Sequence, residues 1–322
     1  MQKVVRFSST GLLSTVLSVA SIPKPAPAPG YALVEIRASA INPSDVMNVE
    51  GRFPHTTTPR IPGRDFAGIV TTGSHAGKKV WGTGGTHGFS VDGAHAQWIS
   101  VPESALQSME MPSNLSFEQA AAVGVPFLTA SLMVEKAALK KGQYVLILGS
   151  TGGVGSAAIQ IASFKGAIPI ETSRRPSENA IDVGEDIPAQ VLQKTGGQVL
   201  SAVLDCVGDA GLFKKALESM GPFGHYVVIS VGQTPSAQFT FNALDFYRNN
   251  RTMVGVNTGA YTFEQSVGIL SELRAGFEQG ILKPFPNLET IDLGDEKGVI
   301  EAYSKVKAGA KMKQILVNKD IL

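Results

Sequence analysis

Short apolar runs recur through the middle of the chain and alternate with stretches of helical spacing. The run from Tyr144 to Leu148 stops at Gly149, as a buried parallel strand stops before a turn. The segment from Ala157 to Ala162 then continues without a breaker until Gly166, which predicts a helix of about three turns. Together with further candidate strands, this alternation predicts a six-stranded doubly wound parallel sheet. The further strands are 167–172, 181–183, 201–206, 225–230 and 252–256.

The two ends of the chain show a different pattern. Residues 1–122 contain short runs rich in Val, Ile, Gly and Pro, which predict a mostly antiparallel sheet or partial barrel. In this part we expect the first strand to be joined to the strand at 33–37 around the proline-rich segment 23–30. Near the C-terminus, residues 263–279 predict an amphipathic helix and 314–317 a strand. We therefore expect an α/β protein with a Rossmann-type domain at 123–261 and a mostly β domain formed by 1–122 and 262–322.

Composition and charge narrow the class of partner. The chain has 322 residues, 43% hydrophobic and 17% charged, which is enough for two cores. Its net charge is +1, so no global field attracts nucleic acid or anionic lipid. The apolar stretch Ala120 to Val134 is shorter than a membrane span and reads as a core segment. We expect a small-molecule substrate, no nucleic-acid or membrane partner, and a cytoplasmic protein.

The thiol content fits that location. Cys206 is the single cysteine, so the chain can form neither an internal disulfide nor a cysteine-rich zinc site. A reducing compartment suits such a chain, and we expect Cys206 to be a small buried hydrophobe.

The glycines after the first central strand predict a phosphate site. They leave no Cβ between the backbone and a ligand, and the following helix offers free N–H groups and the positive end of its dipole. A pyrophosphate fits there. The turn that we expect to contact the cofactor comprises Gly149, Ser150, Thr151, Gly152, Gly153 and Val154.

The end of the second strand predicts which dinucleotide binds. Ser173, Arg174 and Arg175 lie 18 to 20 positions beyond Gly155, where an NAD site has a carboxylate and an NADP site has cations. A guanidinium can bind a 2′-phosphate through two parallel hydrogen bonds. Glu171 is the competing acid, but it lies one pleat earlier in the strand. We therefore predict NADPH as the cofactor.

Several stretches along the whole chain resemble one family, the zinc-independent quinone oxidoreductase branch of the medium-chain dehydrogenase/reductase superfamily. The resemblance implies a GroES-like fold for the mostly β domain, with the active site in the cleft between the domains. The stretches that carry it are Ala40 to Asp45, Ile61 to Gly68, Asp92 to Ala96, the Gly-Gly-Val-Gly turn, Leu204 to Gly208 and Gly280 to Pro284.

The resemblance also predicts that no metal is bound. The positions of the catalytic zinc ligands in zinc-dependent relatives match Asn42, Arg64 and, approximately, Val125, and the four-cysteine structural lobe is absent. Without a Lewis acid, alcohol oxidation loses its usual activation, whereas hydride transfer to a quinone or an activated alkene needs only hydrogen-bond donors and a proton. Ligand spacing is also missing from His55, His75, His87, His95 and His225.

The resemblance implies roles for further residues. Gly152, Gly153 and Val154 should lie along the pyrophosphate, with Ser173 to Arg175 at the 2′-phosphate. Asn42 and Thr129 should border the nicotinamide and the substrate. For Asn42 a simple turn remains open, for Asp45 a helix cap, and for Thr129 a hydroxyl bonded within its own helix. Val207, Ser230, Val231 and Asn257 should lie along the adenosine and nicotinamide ends, and Asn42, Asp45, Phe53 and Tyr261 around the substrate.

Two departures from the family affect the chemistry. Enoyl-thioester reductases place a proton-donating tyrosine where this chain has Phe53, so the catalytic acid is unassigned. Tyr261 or His95 could supply the proton instead, and a packing role is open for both. The segment between Arg175 and Ile181 is too short for the usual helix, so Arg174 and Arg175 must carry the 2′-phosphate preference.

These observations leave three functions to separate. The first is an NADPH-dependent reductase of quinones or α,β-unsaturated carbonyl compounds. The second is an enoyl-thioester reductase, and the third is an NADPH-binding protein without significant turnover. For assembly, the family implies a homodimer through the edge strand at 252–256.

Overall fold

The computed structural model describes residues 1–175, 177–230 and 238–319. The chain divides into two compact units, of which unit 1 is Met1–Leu128 with Thr258–Leu322 and unit 2 is Thr129–Asn257. The first unit boundary falls inside one continuous helix, Phe117–Lys136. A pattern of apolar residues cannot mark such a boundary, since the helical spacing continues across it.

The first part of unit 1 consists of short strands separated by turns, as predicted. The expected connection of the first strand to the strand at 33–37 is wrong, because β1 pairs antiparallel with an intervening strand, β2, with Gln2 opposite Ile22. β2 was missed because half-buried and exposed residues fill most of it. The strands are β1 (Gln2–Phe7), β2 (Leu17–Ile22), β3 (Tyr31–Ala40), β4 (Asp65–Val70), β5 (Lys79–Gly82) and β6 (Trp98–Pro102). The helices are α1 (Leu13–Val16), α2 (Pro43–Val49), a 3-10 helix at Glu103–Met109 and α3 (Phe117–Lys136).

α3 is the longest apolar segment. By length and composition it could cross a membrane, but 78% of its most apolar window is buried. Pro126 lies inside the helix and cannot donate the backbone hydrogen bond that a helical residue normally makes. The buried segment predicted at 120–134 is therefore part of this helix.

Unit 2 is the predicted doubly wound sheet. Its strands pair in parallel in the order β12-β11-β10-β7-β8-β9. The short segment after Arg175 forms no helix in the residues described on either side of 176. The strands are β7 (Tyr144–Leu148), β8 (Ile168–Ser173), β9 (Ala180–Asp182), β10 (Leu200–Asp205), β11 (Met220–Val228) and β12 (Thr252–Gly255), and the helices are α4 (Gly153–Phe164), α5 (Ile187–Thr195), α6 (Ala210–Glu218) and α7 (Ala243–Arg248).

The C-terminal part of the chain completes unit 1. β14 pairs antiparallel with β3, with Ile315 opposite Ala40. The backbone N–H of Ile41 donates to the carbonyl of Gln314 (3.0 Å), so the start of β14 lies beside the residues that follow β3. The elements are a 3-10 helix at Thr258–Ala260, α8 (Phe263–Glu278), β13 (Leu288–Asp292), α9 (Glu296–Lys307) and β14 (Lys313–Val317).

Candidate active site

Two glycines are required where the chain passes from β7 to α4. Gly149 has a left-handed backbone, with φ of 77°. A Cβ on Gly155 would overlap the carbonyl oxygen of Gly149 and lie 2.8 Å from the Cα of Ser150. At the start of α4, Gly152 is the N-cap and no side chain caps it, and the turn from Thr151 to Gly153 is exposed. The open helix start is suited to a phosphate group.

Side-chain hydrogen bonds hold this turn against the end of β8. The Ser150 hydroxyl donates to the Thr172 carbonyl (2.7 Å) and accepts from the Thr172 N–H (3.1 Å). The Thr172 hydroxyl accepts from the N–H of Gly149 (3.2 Å) and donates to the Ile147 carbonyl (2.8 Å). The side chain of Ser150, predicted to contact the cofactor, is thus committed to β8. Thr172 was missed, although a hydroxyl beside a glycine turn is a usable signal.

The tip of β8 presents two cations. Arg174 and Arg175 are exposed, and within the described residues neither guanidinium has a protein acceptor. Ser173 is half-buried, and its hydroxyl accepts from the N–H of Arg175 (3.1 Å). The two charges are therefore available to an anionic ligand at the strand end.

The other predicted cofactor residues follow the carboxyl ends of neighbouring strands. Val207 follows β10 and is 40% exposed, and its methyl group would lie 2.9 Å from a Cβ on Gly149. Ser230 and Asn257, which come after β11 and β12, are exposed. Val231 lies outside the described residues, and Thr129 is buried in α3. Carboxyl strand ends of a doubly wound sheet form the usual dinucleotide site, so the residues of unit 2 fit a nicotinamide dinucleotide.

A side chain shapes the loop after β10. The Asp205 carboxylate accepts from the N–H groups of Val207 (2.8 Å) and Gly208 (2.9 Å) and from the hydroxyl of Tyr226 (2.7 Å). Burial raises the pKa of Asp205 above its ordinary value. Beside it, burial raises the pKa of the Cys206 thiol to about 12. Cys206 is half-buried, where the sequence predicted a buried side chain, and the raised pKa makes its thiol a poor nucleophile.

In unit 1, Asp65 lies at the centre of a buried polar cluster. Its carboxylate accepts from the Val125 N–H in α3 (2.9 and 3.0 Å) and from the Asn42 amide (2.8 Å). The Thr83 hydroxyl also donates to it. Burial raises the pKa of Asp65, and the nearby Lys313 ammonium opposes that shift. The Asp65 carboxylate therefore holds α3, Asn42 and Thr83 together, and these hydrogen bonds already occupy its oxygens.

Asn42 lies between a lysine and two carboxylates. Lys313 donates to the Asn42 amide oxygen (2.6 Å), and the Asp45 carboxylate accepts from the Asn42 N–H (2.8 Å) and thereby caps α2. Burial raises the pKa of Asp45 and lowers that of Lys313. Asn42 and Asp45 are each 1% exposed. The capping alternative for Asp45 is thus realised, and no sequence pattern could have brought Lys313 to Asn42.

Arg64 is the residue that the family resemblance matches to a histidine zinc ligand. It is 4% exposed, and its guanidinium donates to the hydroxyls of Ser44 (2.6 Å) and Thr258 (3.1 Å). A metal at this place would meet the guanidinium, the Lys313-bound amide of Asn42 and an aliphatic Val125. Across the described residues, no three His, Cys, Asp or Glu side chains cluster as metal ligands would. The residues do not fit a catalytic zinc.

An aromatic group surrounds the predicted substrate residue Phe53. The ring of Phe53 lies 5.1 Å from that of Phe89 in an edge-on arrangement, and His55 lies 5.1 Å from the Phe89 ring. The Arg64 guanidinium lies 5.4 Å from the Phe89 ring. Tyr261, the other aromatic residue that is predicted to contact the substrate, is half-buried. Flat apolar faces beside a cation suit a planar conjugated ligand.

His95 lies in a different environment from the one a proton donor needs. It is fully buried, with Nδ1 2.6 Å from the Tyr303 hydroxyl and Nε2 3.2 Å from the Ala40 carbonyl. Burial lowers the pKa of His95 to about 4. These contacts favour the packing role that the sequence left open.

Comparison with known proteins agrees with the fold. The family described as an alcohol dehydrogenase GroES-like domain matches residues 28–112, and the zinc-binding dehydrogenase family matches 153–272. A zinc-type alcohol dehydrogenase-like protein of Schizosaccharomyces pombe is 39% identical over 90% of this chain and 89% of its own length. A 2-methylene-furan-3-one reductase of Solanum lycopersicum is 29% identical over 79% of this chain and 72% of its own.

A solved structure gives the same assignment. The quinone oxidoreductase of Pseudomonas syringae pv. Tomato DC3000 superposes with a TM-score of 0.80 at 26% identity, covering 98% of this chain and 100% of that one. The predicted α/β fold with a GroES-like domain and a Rossmann-type sheet is confirmed. The family implies a nicotinamide cofactor, for which unit 2 has the residues. The chain belongs to the medium-chain dehydrogenase/reductase superfamily, in its quinone-oxidoreductase-like branch, and is an oxidoreductase by family.

Proposed function

We propose that this protein is an NADPH-dependent reductase of quinones or α,β-unsaturated carbonyl compounds that works without zinc. The observation that carries the proposal is the buried Arg64 guanidinium at the place of a zinc ligand. A cation there disfavours alkoxide chemistry on a metal, whereas a carbonyl oxygen that gains negative charge is compatible with it.

The cofactor part of the proposal rests on unit 2. When bound, the reduced nicotinamide supplies a hydride. The exposed N–H groups at the start of α4 bind the pyrophosphate, and Arg174 and Arg175 bind the 2′-phosphate of NADPH. Thr172 and Ser150 hold the turn and the strand tip in register, so both phosphate contacts are positioned together.

The substrate part rests on unit 1. Phe53 is half-buried and offers an apolar ring that packs on the buried Phe89, and Phe53 lacks the hydroxyl that enoyl-thioester reductases use as a proton donor. A quinone tolerates this absence better than a thioester, because the reduced quinone oxygens take their protons from water. We therefore favour quinones and enones over enoyl thioesters as substrates.

The test is cofactor oxidation against a panel of acceptors. The panel holds a benzoquinone, a naphthoquinone, a simple enone, an enal and a crotonyl thioester, each with NADPH and NADH and with or without a chelator. Chelator-resistant turnover of a quinone or enone that prefers NADPH is the expected result. Turnover confined to the thioester would replace the proposal with the enoyl-thioester reductase, and tight NADPH binding without turnover would replace it with a binding protein.

A further inference from the structure

The function proposed above uses Arg64 but leaves the two hydroxyls that accept from it without a role. Arg64 donates from one terminal nitrogen to Ser44 and from the other to Thr258. We propose that Ser44 and Thr258 form a paired hydrogen-bond donor site, polarised by Arg64, for the substrate oxygen that becomes negative during reduction. This inference rests on the proposed function and names the residues that contact the reacting carbonyl group.

The guanidinium fixes the position of both hydroxyls. Its terminal nitrogens are adjacent in one rigid plane, so the oxygens of Ser44 (2.6 Å) and Thr258 (3.1 Å) lie at the same end of the side chain. Packing against Phe89 holds the guanidinium itself, with 5.4 Å between it and the ring centre. Ser44 and Thr258 are 214 positions apart in the sequence, and only the return of the chain into unit 1 brings them together.

The hydroxyl protons are available for a ligand. A hydroxyl has one proton to donate, and each of these oxygens already accepts from a cation. In the described part of the chain, neither the Ser44 nor the Thr258 hydroxyl has an acceptor for its own proton. Both residues are half-buried, so each keeps some exposed surface. The two O–H groups can therefore donate outward, to an oxygen that is not part of the protein.

The charge of Arg64 strengthens these donors. Within the described residues no carboxylate lies within ion-pair distance of its guanidinium, and its Nε is buried without a hydrogen-bond partner. The charge of Arg64 also acts on Asp45 at longer range. It lowers the pKa of the Asp45 carboxyl and so opposes the effect of burial. A hydroxyl that accepts from a cation becomes a stronger donor, because hydrogen bonds in a chain polarise one another.

The pair serves the step in which a substrate carbonyl oxygen gains negative charge. A reduced nicotinamide, when bound, would supply the hydride from a ring C–H bond and be left oxidised. The hydride adds to the electron-poor carbon of the substrate, and the π electrons shift to the carbonyl oxygen. The oxygen becomes an enolate or hydroquinone anion and accepts from the two hydroxyls. A proton from water then completes the product. Donors aimed at the position of the developing charge lower the barrier for the hydride step.

The test uses a phenolate as a stable probe of the oxyanion. In the presence of oxidised NADP, the absorbance of 4-nitrophenol reports whether the bound probe is the phenol or the phenolate. We expect the wild type to bind the phenolate preferentially, and Ser44→Ala and Thr258→Val each to weaken phenolate binding roughly tenfold. Neutral 4-nitroanisole should bind all variants within about twofold of one another, because it has no charge to stabilise.

Conservative variants separate the effect of each hydroxyl group from the effect of side-chain packing. Ser44→Thr and Thr258→Ser keep the O–H groups and should retain the phenolate preference, while Ser304→Ala, which removes an exposed hydroxyl from α9, should change nothing. Arg64→Met should abolish the preference for the phenolate, because it removes the cation that polarises both hydroxyls. Arg64 is buried, so the result for Arg64→Met counts only if this variant keeps the melting temperature of the wild type. The Ser44 and Thr258 variants decide the test.

The outcomes distinguish this inference from the proposed function. Equal affinity of the wild type for phenolate and anisole, or equal losses for both probes in Ser44→Ala and Thr258→Val, would overturn the donor pair. The acceptor panel decides the reductase activity separately, since probe binding requires no turnover. On a panel substrate, the same variants should lower kcat and leave KM nearly unchanged.

Discussion

Among single residues, His95 has the clearest consequence for stability. Burial lowers its pKa from 6.5 to about 4 in the folded protein. Between these two values the unfolded chain binds more protons than the folded chain, so stability is present above about pH 6.5 and is lost as pH falls towards 4. A shift of this size corresponds to about 3 kcal/mol. His87, whose pKa burial also lowers, adds a contribution of the same sign.

The prediction is that His95→Gln flattens the pH dependence of unfolding. Urea unfolding should be followed between pH 4 and 7 by tryptophan fluorescence, because Trp81 and Trp98 both lie in unit 1 with His95. The wild type should lose more stability with acid than the variant, which keeps the contribution of His87 and the opposite contributions of the buried carboxyls Asp45, Asp65 and Asp205, whose pKa values are raised. Exposed His55→Gln is the control and should follow the wild type. Parallel curves for His95→Gln and the wild type would show that His95 is not the titrating group.

The absence of a side chain at Gly155 shapes the glycine turn between β7 and α4. Gly155→Ala places a Cβ 2.8 Å from the Cα of Ser150 and against the Gly149 carbonyl, so the backbone of the turn must move. We expect NADPH binding to weaken roughly tenfold or more, and unit 2 to lose roughly 1–3 kcal/mol of stability.

Isothermal titration and thermal melting measure the two effects. Gly268→Ala in α8 is the matched control, because a Cβ there meets nothing within 4 Å. Alanine should stabilise that helix by up to about 1 kcal/mol and leave NADPH binding unchanged. Wild-type affinity in Gly155→Ala would mean that the turn adapts without involving the cofactor.

At the scale of an element, we predict that the tip of β8 sets the preference for NADPH over NADH. Removing both cations in Arg174→Ala/Arg175→Ala should weaken NADPH binding roughly tenfold to a hundredfold, since a hydrogen bond to a charged group contributes about 1.5–3 kcal/mol. NADH binding should change little, because NADH has no 2′-phosphate. The measurement is the ratio of the two dissociation constants at several salt concentrations.

An exposed cation elsewhere on the same unit provides the control for this experiment. Lys165 follows the last turn of α4, at the opposite end from the glycine turn, and is exposed. Lys165→Ala should therefore keep the NADPH preference and its salt dependence. An equal loss of NADH affinity in the arginine variant would indicate a damaged site and not a lost phosphate contact.

The elements that the sequence predicts are those whose signals are local. The run from Tyr144 to Leu148, the glycine turn and the helix after it lie within a short stretch, and the structure has them where the pattern puts them. The polar cluster of unit 1 has no such local signal. Lys313 contacts Asn42 across 271 positions, and Arg64 contacts Thr258 across 194. Apolar periodicity carries no information about such contacts, because they depend on the return of β14 and the 3-10 helix at Thr258–Ala260.

On the scale of the whole molecule, the chain leaves unit 1 at Leu128 and returns to it at Thr258. The returning part is integral to that unit, because β14 pairs with β3 and Tyr303 of α9 bonds to His95. It also supplies Lys313 and Thr258 to the polar cluster. Unit 1 is therefore assembled only after unit 2 has been synthesised, and the site residues of unit 1 come from both ends of the sequence.

The sheet of unit 2 ends at β12, which predicts how copies of the protein associate. Within the described residues no strand pairs with the outer side of β12, and an open edge invites pairing. Exposed apolar side chains lie on α7, which precedes β12 in the sequence, and at Phe223, whose backbone is hydrogen-bonded to a residue shortly before β12. Leu244 and Tyr247 on α7 are 53% and 73% exposed, and Phe223, 71% exposed, donates its N–H to the Asn249 carbonyl just before β12.

We therefore predict a homodimer with a two-fold axis beside β12, in which the two edge strands pair antiparallel. Sedimentation velocity should give a dimer for the wild type and a monomer for Leu244→Glu/Tyr247→Glu, since paired charges would be buried at the contact. Leu192→Glu is the matched control, because Leu192 is 47% exposed on α5, which packs on β9 at the opposite edge of the sheet. A wild type that sediments as a monomer, or a charged variant that stays dimeric, would contradict this interface. Because the contact concerns unit 2 alone, the monomeric variant should keep the phenolate preference of Ser44 and Thr258 in unit 1.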